Sequence, residues 1–285
     1  MRNHRGYTLV ELLVVMVIMV TVTGGILKLL NTSQRLSRAQ AERVDLQSNV
    51  RIASIVVPGE LREINNVSGV AVLPSPQVDI LSMQPTSIRY RAMRGIGYVC
   101  AGTTINQLRL SNFSGYRPTV AVRDAAYVFV DGDENTGDDD GWVPAAITGT
   151  PMGNVCGGLA AVTLNITPAL LAVPPVGTPV RTYEVMELSL YADAGKSWLG
   201  ARSVSANELS PRPLLGPLND GDGLSLSYLN AAGGNAAIAS DVKSIVLTVR
   251  GVTSQQISTG GGNAHSGYVR DSLVSQVSLR NAFCP

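Results

Sequence analysis

Histidine and cysteine are scarce in this 285-residue chain, at two and three. A structural zinc or iron–sulfur centre usually takes about four soft ligands, so a dedicated metal centre of that kind is excluded. Charge is also thin: 15% of residues are Asp, Glu, Lys or Arg, and 22 basic against 21 acidic residues leave a net charge of +1. Without a basic excess there is no electrostatic case for nucleic acid as a partner. Low charge with 29 glycines argues against long disorder and coiled coil. Catalytic signatures are missing as well: neither Gly-x-Ser-x-Gly, His-Glu-x-x-His nor a phosphate-binding P-loop occurs. His265 stands alone in a Gly-rich stretch, and nothing here argues for an enzyme.

What is present is concentrated at the start. Arg2, His4 and Arg5 precede an apolar run from Tyr7 to Leu27 whose only charge is Glu11, and Lys28 closes it. As a helix this run spans roughly the ~30 Å hydrocarbon core. It is longer than the about 7–15 apolar residues of a secretory signal, and no small-residue cleavage site follows it. Arg2 and Arg5 place the N-terminus on the cytoplasmic side of the inner membrane and the rest of the chain on the periplasmic side. Glu11 is the anomaly, because a carboxylate inside a span costs on the order of 2.5–3.5 kcal/mol and is normally paired.

Gly6-Tyr7-Thr8-Leu9-Val10-Glu11, behind a short basic leader, closely resembles the class III signal of type IV prepilins. The resemblance implies cleavage by a prepilin peptidase after Gly6, methylation of the new amino terminus at Tyr7, and Glu11 as the family glutamate. Tyr7 departs from the usual Phe. The ammonium released at Tyr7 and the Glu11 carboxylate of a neighbouring subunit form a matched pair, which favours assembly and fixes register. Loss of Arg2 and Arg5 with the leader takes the basic count from 22 to 20 against 21 acidic residues, a mature charge near −1.

Behind the span, Leu36, Ala39, Leu46, Val50, Ala53 and Val57 trace one face at helical period, with charged residues on most of the remainder. Pro58-Gly59 is expected to end this helix or kink it before a last turn at Glu60 to Ile64. From about residue 67 the period becomes two, with alternating runs at 87–92, 104–110, 119–130, 159–166, 180–191, 224–229, 242–250 and 268–280. Pro-rich 168–179 and 211–217 read as loops or edge connections, and 230–241 and 253–267 as long hairpin loops. The expected class is α+β. A leader at 1–6 is followed by a membrane or filament-core helix at 7–28, an amphipathic helix at 29–64, and a β-rich extracytoplasmic domain at 65–285.

The order of Tyr183 to Tyr191, Trp198-Leu199 to Arg202, Pro213-Leu214-Leu215, Gly223 to Leu229, Val242 to Val249 and Ser278 to Asn281 resembles PilW-type minor pilins. It is also similar to the J-type minor pseudopilin of type II secretion. The resemblance implies a structural subunit that primes or caps a type IV pilus, or a minor pseudopilin, with other pilins as partners. A non-polymerising membrane-anchored adhesin is the reading from another class.

The segment Asp131 to Gly141 carries six carboxylates. Asp131, Asp133 and Asn135 match the first positions of a calcium loop, and Asp138, Asp139 and Asp140 add oxygens. The Gly arrives one residue late and Trp142 stands where a bidentate Glu belongs, so a solvated hairpin tip competes with a Ca²⁺ site. In an oxidising compartment Cys100, Cys156 and Cys284 allow three single disulfides, of which Cys100–Cys156 is preferred. Tyr90, Tyr98, Trp142 and Trp198 read as sheet-packing residues.

Overall fold

The computed structural model describes residues 8–65, 78–131, 135, 141–258 and 266–280. Helix α1 runs without interruption from Leu9 to Arg62, 54 residues, or about 80 Å at 1.5 Å per residue. Thr8 caps it: the Glu11 N–H donates to Thr8 Oγ1 at 3.2 Å, satisfying a first-turn donor in a Thr-x-x-Glu arrangement. Thr21 and Thr32 hydroxyls donate back to the Ile18 and Lys28 carbonyls, both at 2.9 Å, so these polar side chains find partners inside their own helix.

Pro58 leaves the helix continuous to Arg62, so of the two outcomes expected there, an end at Pro58 does not occur and a last turn beyond it does. Proline forfeits only its own N–H bond, and Val57 and Leu61 on either side are buried in a hydrophobic core that holds the turn. Of the predicted apolar face, Ala39, Leu46, Val50, Ala53 and Val57 are buried, whereas Leu36 is 59% exposed.

The chain forms two compact units, one of residues 1–48 with 252–271 and one of 49–251 with 272–285. In the first, the Glu42 carboxylate accepts the Ser254 and Gln255 N–H groups at 2.7 and 3.3 Å. The segment 253–267 is therefore more than an open loop. Thr253 and Val269 exchange two hydrogen bonds, at 2.9 and 3.1 Å, and two-residue strands at Ile257–Ser258 and Ser266–Gly267 pair.

The strands in chain order are β1 (Ile80–Gln84), β2 (Ser87–Val99), β3 (Gln107–Gly115), β4 (Ala125–Val130), β5 (Gly141–Cys156), β6 (Leu159–Thr167), β7 (Pro179–Asp193), β8 (Lys196–Ser203), β9 (Arg212–Leu218), β10 (Leu224–Leu229), β11 (Ser244–Val252), the short β12 and β13 just described, and β14 (Arg270–Ser278). The alternating runs of the sequence mark eight of them, β2, β3, β4, β6, β7, β10, β11 and β14. The strands β1, β5 and β8 lie outside those runs, and β9 occupies the Pro-rich stretch 211–217, where a loop or edge connection is expected. Pro213 and Pro217 are tolerated there because β9 meets β11 only at Leu218 opposite Gly251, so few ladder donors are required of it.

In the second unit β2 pairs with β3, β3 with β6, β6 with β5, β5 with β4, β4 with β7, and β7 with β2. That circuit closes on itself as a six-stranded antiparallel barrel with no free edge. Alternate residues fill it, among them Leu108, Leu110, Val128, Ile147, Leu164 and Val180, and Leu170 joins them from the following loop. A second core lies on the sheet made by the other half of the same ribbon. There β1 pairs with β2, β8 with β7, β9 with β8, and β11 carries β10 and β14. Ala53, Val57 and Leu61 of α1 pack with Ile88, Tyr90, Leu188, Leu199, Leu247 and Val277 in this core.

Strands β2 and β7 belong to both halves. Residues 87–93 of β2 pair with 183–189 of β7 in the sheet, and 95–98 pair with 179–182 in the barrel. Between them the register shifts, leaving Arg94 as the extra residue of a bulge that bends the strand. The approach is close: a Cβ at Gly115 would stand 2.5 Å from the Arg94 carbonyl oxygen, so the position excludes a side chain.

The Arg94 side chain leads into a buried ion cluster. Glu184, fully buried, accepts from Arg94 Nε at 2.9 Å, Arg117 Nη2 at 2.8 Å, Arg123 Nε at 2.5 Å and the Ser203 hydroxyl. Arg117 also donates to both oxygens of buried Asp124, at 2.7 and 2.5 Å, and Asp124 accepts the Val120 N–H at 2.7 Å. Burial alone would raise the Glu184 carboxyl, but hydrogen bonds from Arg123, Ser203, Arg117 and Arg94 outweigh it and hold the group at about 2. Its contribution to stability is complete above the ordinary value of 4.5 and is lost as pH falls towards about 2. Glu184→Ala should cost about 3–5 kcal/mol, because three guanidinium groups lose a shared partner. Denaturant melts of the variant at neutral pH check the loss, and melts of the wild type below pH 4.5 check the acid limb.

Candidate functional site

Among the described residues nothing covers the N-terminal part of α1. Every large apolar side chain from Leu9 to Leu30 is about half exposed or more, all round the helix. A helix apolar on all faces is normally buried, in a protein core or in a membrane. This one is long and apolar enough to cross a bilayer. Glu11 lies exposed in its first turn, where the helix dipole favours a negative group. Gly6 and Tyr7, at the expected cleavage point, lie outside the described residues.

Of the acidic segment, Asp131 and Asn135 are described, while Asp133, Asp138, Asp139 and Asp140 lie outside the described residues. No group of three or more His, Cys, Asp or Glu able to hold a metal is found among the described residues. Val130 pairs with Gly141, which makes 131–140 the connection of the β4–β5 hairpin. Cys100 and Cys156 are joined, with 6.3 Å between their Cα atoms, tying the end of β2 to the end of β5. Cys284 and His265 lie outside the described residues.

A pocket that the sequence did not announce lies where β2, β4, β5 and β7 meet the stretch after α1. Its lining includes Asp79, Arg91, Tyr127, Trp142, Arg181 and Tyr183, and its cavity volume is about 20 Å³, close to the room one water needs. Arg181 stands 4.3 Å from the Trp142 ring centroid, and Arg91 lies 5.6 Å from both the Tyr127 and Tyr183 rings. The two tyrosine rings are themselves 4.5 Å apart. Trp142 faces this pocket and also packs on its sheet neighbours, edge-on to Phe129 at 5.5 Å and to Tyr127 at 6.5 Å, in keeping with its expected part in sheet packing; Tyr98 is 42% exposed, and Tyr90 is buried in the sheet core.

Burial lifts the Asp79 carboxyl from 3.8 to about 6, against the opposing pull of the Asn65 N–H and the Arg91 and Arg181 charges. Burial, aided by the charge of Arg280, lowers Arg181 from its ordinary value. The period of β7 carried a usable signal for the ion cluster: Val180, Thr182 and Glu184 alternate onto one buried face, so a carboxylate there had to be paired. No comparable pattern marks the pocket, whose residues come from five separate segments.

Comparison with known proteins gives one match. Residues 1–27 fit the family model described as the prokaryotic N-terminal methylation motif. That motif marks a type IV prepilin-like protein, a class whose members are substrates of prepilin peptidase and structural subunits that associate with other pilins. The helix behind it suits membrane anchoring. No match was found among curated proteins or among solved structures.

If the acidic hairpin connection holds calcium, Ca²⁺ should raise the melting temperature relative to the chelated protein. Superimposable melting curves with and without chelator would reject the site.

Proposed function

We propose that this chain is a minor pilin, PilW-like, that helps to prime or cap a type IV pilus. One observation carries the reading: a methylation motif at 1–27 coincides with an exposed, predominantly apolar stretch of helix whose only charge up to Leu27 is Glu11. In this reading the N-terminus is cytoplasmic and the β-rich domain periplasmic until assembly. Prepilin peptidase cuts between Gly6 and Tyr7. The new ammonium at Tyr7 then neutralises a Glu11 carboxylate from the adjoining subunit, a pairing that offsets the cost of burying either charge alone.

The bulk of the head supports a minor rather than a major role. A subunit of a repeating shaft must pack the same head at every step, whereas a tip position imposes no such periodicity. The barrel built onto the sheet adds mass that a shaft would have to accommodate throughout. A minor pseudopilin of type II secretion would share the N-terminal chemistry. A neighbouring gene for a retraction ATPase favours the pilus, and a secretin with exported cargo favours secretion.

Mass spectrometry of the mature protein should find N-methylated Tyr7 as its first residue. Retention of Met1 to Gly6 would instead favour a tethered adhesin that never polymerises. Glu11→Ala should abolish recovery of the chain in sheared filaments while leaving the melting temperature of the folded β domain unchanged. Normal incorporation of that variant would remove the pairing from the account.

A further inference from the structure

No charged residue stands between Gly141 and Val180, and the last part of that stretch, 168–178, connects β6 to β7. Leu170 and Pro174 are buried and anchor this loop. The Leu170 and Gly177 N–H groups fasten it further, donating to the Ile105 and Val99 carbonyls, both at 2.8 Å. The side chains between the anchors turn outward: Leu171 is fully exposed and Val173 and Val176 more than half so, with Ile105 exposed beside them. Pro168, Pro174, Pro175 and Pro179 restrict the backbone, so the loop cannot fold these side chains away. Apolar side chains held together in water mark a contact surface.

Strand pairing places that surface. β2 lies in the sheet over 87–93 and in the barrel over 95–98. Val99, which holds the loop, is therefore at the end of the barrel away from the sheet and from the α1 residues packed on it.

We propose that this loop docks the barrel end onto the surface of a lipid bilayer, one other than the membrane that holds the span, with Leu171, Val173 and Val176 entering the boundary of headgroups and acyl chains. Three features select lipid over a protein partner. The loop carries no charge with which to match a charged face. It has no aromatic residue and no arginine, the anchors on which protein interfaces rely, and leucine and valine are poorly represented among such anchors. Its backbone is also prepared to leave water. The four prolines have no N–H to desolvate, and those of Leu170, Gly177 and Thr178 are already bonded. Tyr98, exposed on β2 opposite Pro179 at the foot of the loop, is an aromatic of the kind that lines membrane interfaces. Three aliphatic side chains bury little area, so the contact is shallow and reversible. This inference stands apart from the prepilin reading, since N-terminal processing tests one and not the other.

The full chain, held in phosphatidylcholine nanodiscs by its span, tests it with Leu171→Trp as reporter and the wild type, whose tryptophans are Trp142 and Trp198, as blank. Protein-free phosphatidylcholine vesicles with brominated acyl chains should quench the introduced indole and move its emission to shorter wavelength, unaffected by added salt. Capture of vesicles by the discs should fall roughly tenfold or more when Leu171→Asp, Val173→Asp and Val176→Asp are combined. The triple variant should melt with the wild type, because all three side chains already stand in water. Absence of quenching, undiminished capture by the triple variant, or capture that requires anionic lipid would each overturn the proposal. Quenching by brominated lipid placed in the discs themselves would overturn it in favour of the chain's own membrane. Pairing of discs without vesicles, abolished in the triple variant, would overturn it in favour of a second copy of the chain.

Discussion

The head of this protein depends on one ribbon, β2 paired with β7, serving two hydrophobic cores at once. Along one half its inward residues meet α1 and the sheet; along the other they close a barrel. Two cores on one ribbon require the strands to bend where they pass from one to the other. The bend is made by the unpaired residue at Arg94, and the space beneath it is filled by charge rather than by apolar side chains. Glu184 gathers Arg94 from the bulge with Arg117 and Arg123 from the β3–β4 connection and Ser203 from the end of β8. The same contacts that satisfy the buried carboxylate therefore join barrel to sheet. An apolar cluster of equal volume could match the stability, but it would lack the directional bonds that fix where each segment meets the bulge.

The N-terminal half of α1 follows a different logic. It makes no attempt to bury its apolar faces within the chain, and its polar groups are satisfied locally by the Thr8 cap and by threonine hydroxyls bonded to their own helix. Such a segment is complete only in lipid or among other helices. As far as Leu27, Glu11 alone breaks the pattern, and a single charge in an apolar stretch asks for a partner from outside the chain. The methylation motif is consistent with a partner created by proteolysis, since a new amine is the group that such processing would supply.

The legibility of these parts in the sequence followed from the range of the interactions behind them. The span, its basic leader and Glu11 are local patterns and could be read directly. The buried face of the amphipathic stretch was visible for the same reason: helical period is set within a few residues, and five of the six positions are buried. Leu36 is the exception, since a sequence period says which face a residue is on but not how far along the helix a partner extends. Strands with clean alternation were equally plain. By contrast β5 has prolines and glycines at 141, 144, 149, 151 and 153, and β9 has prolines at 213 and 217; their composition speaks for turns. They are strands because neighbours supply ladders on the sides that proline leaves usable.

Chain order by itself determined a long apolar helix ahead of a β-rich region, the processing signal, and which residues face inward on each regular element, because each is fixed by contacts between near neighbours. Closure of the barrel, the gathering of three arginines on Glu184 and the charged aromatic pocket around Arg181 were decided only in three dimensions. Each joins residues from segments far apart in the chain, and which strands lie side by side is a property of the whole packed sheet that no local period encodes.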